Sequence, residues 1–159
     1  MLLIRRANLN DCDAMRHVFY QSIMAIRVAD YTAAHLTAWA AKHDMQALWE
    51  TKVAQQYCFV AEQAGEILGF GSLDGEAWLD LLYVAPQAQR QGLATQLLAQ
   101  IEVLASQLNF PQIWVDASVV ARTFLINHGF ILHEIYAKSL GDLTFMNSLM
   151  FKHIKSHLD

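Results

Sequence analysis

Charged residues are scarce in this chain of 159: Asp, Glu, Lys and Arg supply 16% of it, against about 25% in an ordinary soluble domain. Disorder is excluded all the same, because 55% of the residues are hydrophobic and a disordered chain needs the opposite balance. Few charges with many apolar residues predict a thick core and a surface partly hidden by a ligand or by a partner such as a second copy in a homodimer. With 2 prolines and 7 glycines there is little room for long loops or linkers, so residues 1–159 are expected to form one domain. The 2 cysteines, Cys12 and Cys58, fit neither a disulfide framework nor a zinc spacing and read as buried thiols of a reducing compartment. A net charge of -4 and the lack of a long basic run exclude a reader of nucleic-acid backbone. No apolar run reaches the roughly 18 residues of a membrane helix. The charges of Met1-Leu2-Leu3-Ile4-Arg5-Arg6 follow a very short apolar run, the reverse of a signal peptide. A soluble, cytoplasmic protein with no membrane partner is expected.

What is present is periodic. Leu2 to Arg6 reads as a first strand, and Asn10 or Asp11 is placed to cap the helix that follows. Met15, Val18, Phe19, Ile23 and Ile26 recur at helical spacing and predict an amphipathic helix over about 11–29. Thr32 to Ala41 and Met45 to Gln55 read as two further helical pieces. Three strands then alternate with tight turns, Tyr57 to Ala61, Ile67 to Leu73 and Trp78 to Val84, as an antiparallel meander stopped by Pro86. A helix runs from Gly92 to Leu108, a strand from Ile113 to Ala117, and a short helix from Val120 to Asn127, closed by Gly129 in a left-handed cap. Ile131 to Leu140 and Leu143 to Ile154 pair across Gly141-Asp142, a primed hairpin turn. The order β, helices, βββ, α, β, α, ββ fits an α+β domain with one mixed, mostly antiparallel sheet. Its central strand–helix–strand unit is expected as a parallel crossover.

The most informative stretch is Tyr83-Val84-Ala85-Pro86-Gln87-Ala88-Gln89-Arg90-Gln91-Gly92-Leu93-Ala94-Thr95. A strand ends, a short loop follows, and a helix begins at a glycine. The free N–H groups of a helix start, with its dipole, bind phosphate. Ala94 leaves the first turn unobstructed, the Thr95 hydroxyl adds a donor, and Arg90 adds positive charge. The segment resembles motif A of the GNAT superfamily of N-acetyltransferases, with Gln89, Gly92 and Ala94 at its signature positions. The stretch Asp116-Ala117-Ser118 to Gly129-Phe130 is similar to the family's motif B. The first strand with Arg5 or Arg6, the acidic start of the first helix and the strand order match as well. The chain is similar to small single-domain bacterial members, with residues 28–56 falling in the family's variable part.

The resemblance implies a sheet of about seven strands flanked by four or five helices, with the fourth and fifth strands splayed apart. It implies acetyl-CoA as co-substrate and no metal. The pyrophosphate would rest on Gln89, Arg90, Gln91, Gly92, Leu93, Ala94 and Thr95. The pantetheine would run along the fourth strand at Leu82, Tyr83 and Val84 as an added strand, satisfying edge hydrogen-bonding groups. Phe124 would pack on the pantetheine arm or in the core.

Asp80 lies among Trp78, Leu79, Leu81, Leu82, Tyr83 and Val84. A carboxylate in an apolar strand is expensive unless paired, and desolvation raises its pKa toward that of a general base. Its strand position is close to the family's acidic base, although the glutamate of histone-type members falls one inward-facing step earlier, on Trp78. A structural role, pairing with an arginine or capping a neighbouring group, is the competing one. Leu125 stands where many members carry the tyrosine that protonates the leaving thiolate. Tyr136, Tyr83, Ser118 or a water must substitute, or the thiolate leaves unassisted; Tyr136 is taken as the candidate. His153 and His157 share an i, i+4 spacing without a third ligand, so no metal site is expected. His128 is placed to cap its helix. Tyr31, His35 and Trp39, at i, i+4 and i+8, form one helical stripe for a small-ligand pocket or an anchor to the core.

These readings converge on an acetyl-CoA-dependent N-acetyltransferase acting on a primary amine of a small molecule, or a peptide, by direct attack. An acyl-CoA-binding regulatory module with little turnover is the alternative. A protein lysine acetyltransferase is less favoured, because no acidic groove for a basic peptide is visible.

Overall fold

The computed structural model describes residues 1–158. Strand β1 (Leu2–Arg6) leads through a tight turn into three helices, α1 (Cys12–Met24), α2 (Ala33–Ala40) and α3 (Gln46–Gln55). The meander β2 (Tyr57–Gln63), β3 (Glu66–Leu73) and β4 (Leu79–Val84) follows. Then come α4 (Leu93–Gln107), β5 (Gln112–Ala117), α5 (Val119–Asn127), and the hairpin β6 (Ile131–Leu140) and β7 (Leu143–His153).

The apolar positions of α1 are buried as their spacing predicts, with Met15, Val18, Phe19 and Ile23 inside. The helix nevertheless ends at Met24, short of residue 29. The Arg27 guanidinium folds back onto the Met24 and Ile26 carbonyls and satisfies them. The start also differs from expectation. Asn8, not Asn10 or Asp11, caps the Leu9–Asp11 turn that precedes α1. Asp11 instead accepts the Asn8 N–H at 2.8 Å and a two-pronged contact from Arg5 at 2.9 and 2.8 Å. The guanidinium hydrogen bonds outweigh the burial of Asp11 and hold its carboxyl below the usual value. The match of Arg5 with the acidic helix start is thus a bridge between β1 and α1.

Strands β1, β2, β3 and β4 form one antiparallel sheet, and β5, β7 and β6 a second. The two halves meet at a single parallel bridge between Trp78 and Trp114. Beyond it β4 and β5 diverge, which is the splay the resemblance implies; one continuous mixed sheet becomes two hydrogen-bonded halves around an open fork. Helix α4 covers one face through Leu93, Leu97, Leu98 and Ile101. It lies close because β3 carries Gly71: a Cβ there would stand 3.0 Å from Ile101 Cδ1. Helices α1 to α3 cover the other face of the first sheet. There Trp49 packs edge-on against Phe19 and Phe70, with ring centroids 5.0 and 5.7 Å apart. No helix among the described residues is long and apolar enough to cross a membrane.

Candidate active site

The fork is built by parity. The Ala85 N–H donates to Leu68 O on β3 at 2.8 Å. Groups alternate along an antiparallel strand, so Tyr83 and Leu81 also turn their backbone to β3, while Leu82 and Val84 turn theirs outward into the fork. The Val84 carbonyl is already taken by Gln89 Nε2 at 3.1 Å. The peptide groups of Leu82 and the N–H of Val84 form the free edge. Tyr83 is a correction to the expected lining: its backbone pairs with β3 and its ring packs on Phe19 and Phe70, at 4.9 and 5.6 Å. Burial pushes its phenol well above the ordinary value, so it keeps its proton.

At the wide end of the fork α4 begins. Gly92 caps it in the left-handed region, φ 83°, and Arg90 before it also has positive φ, 62°. No side chain caps this end. The first helical bond is Gln96 N–H to Gly92 O, so the N–H groups of Leu93, Ala94 and Thr95 have no intrahelical acceptor. Gln89, Arg90, Gln91 and Gly92 are exposed, and Arg90 has no carboxylate partner among the described residues. Across the gap stands α5. Thr95 Oγ1 lies 3.0 Å from His128 Nε2, and His128 Nδ1 lies 2.7 Å from Phe124 O. A carbonyl only accepts, so Nδ1 carries a proton and Nε2 of the neutral ring accepts from the Thr95 hydroxyl. His128 thereby does cap the end of α5 and also ties α5 to the start of α4. The half-buried Phe124 stacks on it with ring centroids 4.1 Å apart.

At the narrow end the fork carries charge. Asp80 lies two residues past Trp78 and Asp116 two residues past Trp114, the two bridged tryptophans. The sequence places Asp80 in a desolvated strand, and here the structure differs. Pairing slips between Ser72↔Leu81 and Leu73↔Leu79, leaving Asp80 as the extra residue of a bulge. The bulge turns its side chain out toward α3, 31% exposed, onto Lys52 at 2.5 Å and Gln56 at 2.9 Å. Gln56 is in turn held by the Ser72 hydroxyl at 2.7 Å. Lysine, rather than arginine, is the partner.

Asp116 was not among the sequence candidates. It accepts from Lys138 Nζ at 2.9 Å and Asn147 Nδ2 at 3.1 Å. Burial opposes its charge, but Lys138, Tyr136 and Asn147 together outweigh burial and hold its pKa below the usual value. Tyr136 is therefore part of this group. Burial, then the neighbouring Asp116, pushes its phenol up to about 12. Two lysines, Lys52 and Lys138, reach the two carboxylates from different elements. Sequence reading misses them because their spacing in the chain carries no pattern. One signal was available: the alternation of Ile113, Val115 and Ala117 on the core face leaves Asp116 facing the other way.

The stripe of Tyr31, His35 and Trp39 assembles around Phe145 of β7, with ring centroids 5.7, 4.9 and 6.3 Å away. Tyr31 is a correction: it precedes the Thr32 cap and lies outside α2. It is buried, and its hydroxyl accepts the Val119 N–H at 3.2 Å. Both nitrogens of His35 are engaged, Nδ1 in the capping box with Thr32 and Nε2 on the Thr144 carbonyl at 3.0 Å. His35→Ala is expected to lower stability by about 1 kcal/mol, the scale of a lost cap, in denaturant melts. A raised KM for the acceptor at unchanged stability would return the stripe to the pocket.

Leu125 is buried, 1% exposed, and offers no proton. Among the described residues no group of three or more His, Cys, Asp and Glu is arranged to hold a metal.

Known proteins share this architecture. The family model of the acetyltransferase (GNAT) domain matches residues 27–139. An uncharacterized N-acetyltransferase of Escherichia coli K12, YafP, is 28% identical over 127 residues, covering 80% of this chain and 79% of that protein. A crystal structure of a GCN5-related N-acetyltransferase from Rhodopseudomonas palustris superposes with a TM-score of 0.91 at 27% identity, covering 96% of this chain and 95% of that one. The PaiA N-acetyltransferase of Thermoplasma acidophilum, crystallised with coenzyme A, superposes with a TM-score of 0.80 at 16% identity over 96% of this chain and 99% of that one. With the family model matching most of its length, the chain is a member of the GNAT family of N-acetyltransferases.

Proposed function

We propose that this N-acetyltransferase moves the acetyl group of acetyl-CoA to a primary amine of a small molecule or peptide by direct attack. The observation that carries the reading is the shared opening: an uncapped helix start and an unpaired strand edge face the fork at which Asp80 and Asp116 stand. The residues fit the co-substrate. Leu93, Ala94 and Thr95 offer free N–H groups and Arg90 offers charge to a pyrophosphate. Leu82 offers a donor and an acceptor to the amides of pantetheine. PaiA of the same fold holds coenzyme A, which supports the assignment.

Acetyl-CoA supplies the activated acyl group. Within the chain, the Asp80 carboxylate takes the proton of the acceptor amine, directly or through a water. An outward N–H at Leu82 is placed to hold charge developing on the thioester oxygen. Coenzyme A leaves as its thiolate when the new C–N bond forms, and Tyr136, protonated at neutral pH, is the candidate donor of the proton it takes up. Cytoplasmic location belongs to the same reading: burial pushes the Cys58 thiol up to about 11 and keeps it an inert thiol. A homodimer is also included, supported by the exposed Ile131, Leu132, Ile135 and Leu140 of β6.

Thiol release from acetyl-CoA by the purified protein, measured across a panel of primary amines, tests the reading. Amine-dependent release, with acetylated amine found by mass spectrometry, is expected. Tight acetyl-CoA binding with no release for any amine favours the regulatory module, for which the buried Leu125 is the supporting feature.

A further inference from the structure

Trp39 and Trp49 pack in the core beneath α1 to α3. The other two tryptophans, Trp78 and Trp114, are half-buried and belong to neither core, and the same holds for the half-buried Phe151 of β7. Strand register makes these three rings neighbours. Trp114 opposes Phe151 across the β5–β7 pair, with ring centroids 5.0 Å apart. Trp78 meets Trp114 at the parallel bridge, with ring centroids 6.1 Å apart. His133, the extra residue of a bulge in β6, stands edge-on to Trp114 at 5.5 Å. Along β5, Ile113, Val115 and Ala117 face the core, so Trp114 shares the opposite face with Asp116. On that face the core beneath α1 to α3 takes in Leu143 and Phe145 of β7 and stops short of Trp114. Single exposed apolar side chains are ordinary, but two indoles and a phenyl ring in one contiguous, half-exposed group mark a binding surface.

The position of this group decides what it suits. Asp80 and Asp116 each follow one of the bridged tryptophans by two residues. Two residues of strand span about 6.6 Å, so an amine at Asp116, on an arm of about two carbons, brings what it carries over the Trp114 indole. Charge narrows the choice. Lys52 and Lys138 already match the two carboxylates, which leaves no surplus negative charge for a second cation on the acceptor. What remains is apolar aromatic surface. A flat ring gains most from it, by stacking and by removing apolar area from water. We propose that Trp78, Trp114 and Phe151 are the floor of the acceptor site, and that the acceptor is a primary amine whose short arm carries a flat aromatic ring. The proposal rests on the acetyltransferase reading above.

The test sets 2-phenylethylamine, tyramine and tryptamine against 2-cyclohexylethylamine and butylamine, with cadaverine as the dicationic arm. For at least one of the aromatic amines kcat/KM is expected to exceed that of both aliphatic monoamines by about tenfold, the scale of one aromatic contact with its buried area. Trp114→Leu should bring that ratio toward one through the KM of the aromatic amine, and Trp114→Phe should restore part of it. The melting-temperature rise with acetyl-CoA should be the same in all three proteins. A second readout needs neither turnover nor a variant that folds. The N-acetyl derivatives of the aromatic amines should shield wild-type tryptophan fluorescence from acrylamide, while N-acetylbutylamine should not. In a Trp78→Phe, Trp114→Phe double variant, which retains Trp39 and Trp49, that shielding should be lost. Equal use of 2-cyclohexylethylamine and the aromatic amines, survival of the preference in a folded Trp114→Leu protein, a preference for cadaverine, or no shielding by any aromatic derivative overturns the proposal. Shielding that grows with protein concentration alone overturns it in favour of a second copy on the same surface. Acetylation of aliphatic amines alone would overturn it and leave the acetyltransferase reading standing; failure to bind acetyl-CoA would overturn that reading itself.

Discussion

Replacing Gly92 by glutamate is expected to remove the rise in melting temperature that acetyl-CoA gives the wild-type protein. A ligand that binds only the native state at a hundred times its dissociation constant stabilises it by about 2.7 kcal/mol. In a domain of this size that corresponds to roughly 5–10 °C. The glutamate itself fits: an added Cβ at Gly92 meets nothing within 4 Å. The left-handed backbone, φ 83°, costs a non-glycine residue about 1–2 kcal/mol, so the variant folds with a lower melting temperature of its own. What changes is charge. A carboxylate at the uncapped start of α4 occupies the N–H groups of Leu93 to Thr95 and repels a second anion. Gly92→Asn, a residue tolerant of the left-handed region but neutral, is expected to keep most of the rise. A folded Gly92→Glu protein that responds to acetyl-CoA as the wild type does would sink the phosphate-loop assignment.

The element order was legible because strands and helices bury one face at fixed periods. The buried Leu93, Leu97 and Ile101 of α4 announce its core face directly. The glycine that opens it, and the Leu82 and Val84 edge beside it, followed from local pattern and resemblance. What stayed hidden was settled by long-range contacts. Asp80 has apolar neighbours on both sides, yet a slip in its pairing with β3 turns it outward to Lys52. No local feature of either strand encodes that slip. The α1 boundary was decided by Arg27 reaching back to two carbonyls, and the cap by Asp11 preferring Arg5. Tyr31 keeps helical spacing to His35 only in number, because the Thr32 cap intervenes. Lys52 and Lys138 are unremarkable in the chain, and only the fold brings them to Asp80 and Asp116.

Asp80→Asn is expected to lower kcat/KM for the amine about 10²-fold, the usual scale of a positioned general base. The fold should survive. The side chain is 31% exposed, and a partly solvated ion pair contributes about 1 kcal/mol or less. Asparagine still accepts the Gln56 amide through its own oxygen. Loss of the base should show in the pH dependence: as pH rises toward the pKa of the acceptor amine, the amine arrives deprotonated and the deficit shrinks. Asp116→Asn separates the two carboxylates of the fork. Lys138, Tyr136 and Asn147 hold the Asp116 carboxyl below its usual value, which makes it a weaker proton acceptor than an ordinary carboxylate. Its replacement should cost less at neutral pH, and the cost should not fade as the amine loses its own proton. If Asp116→Asn carries the larger loss and the pH-dependent recovery, the base is Asp116. Asp80 would then be the residue that fixes Lys52 and Gln56 at the mouth of the fork, and its bulge a device of positioning rather than of proton transfer.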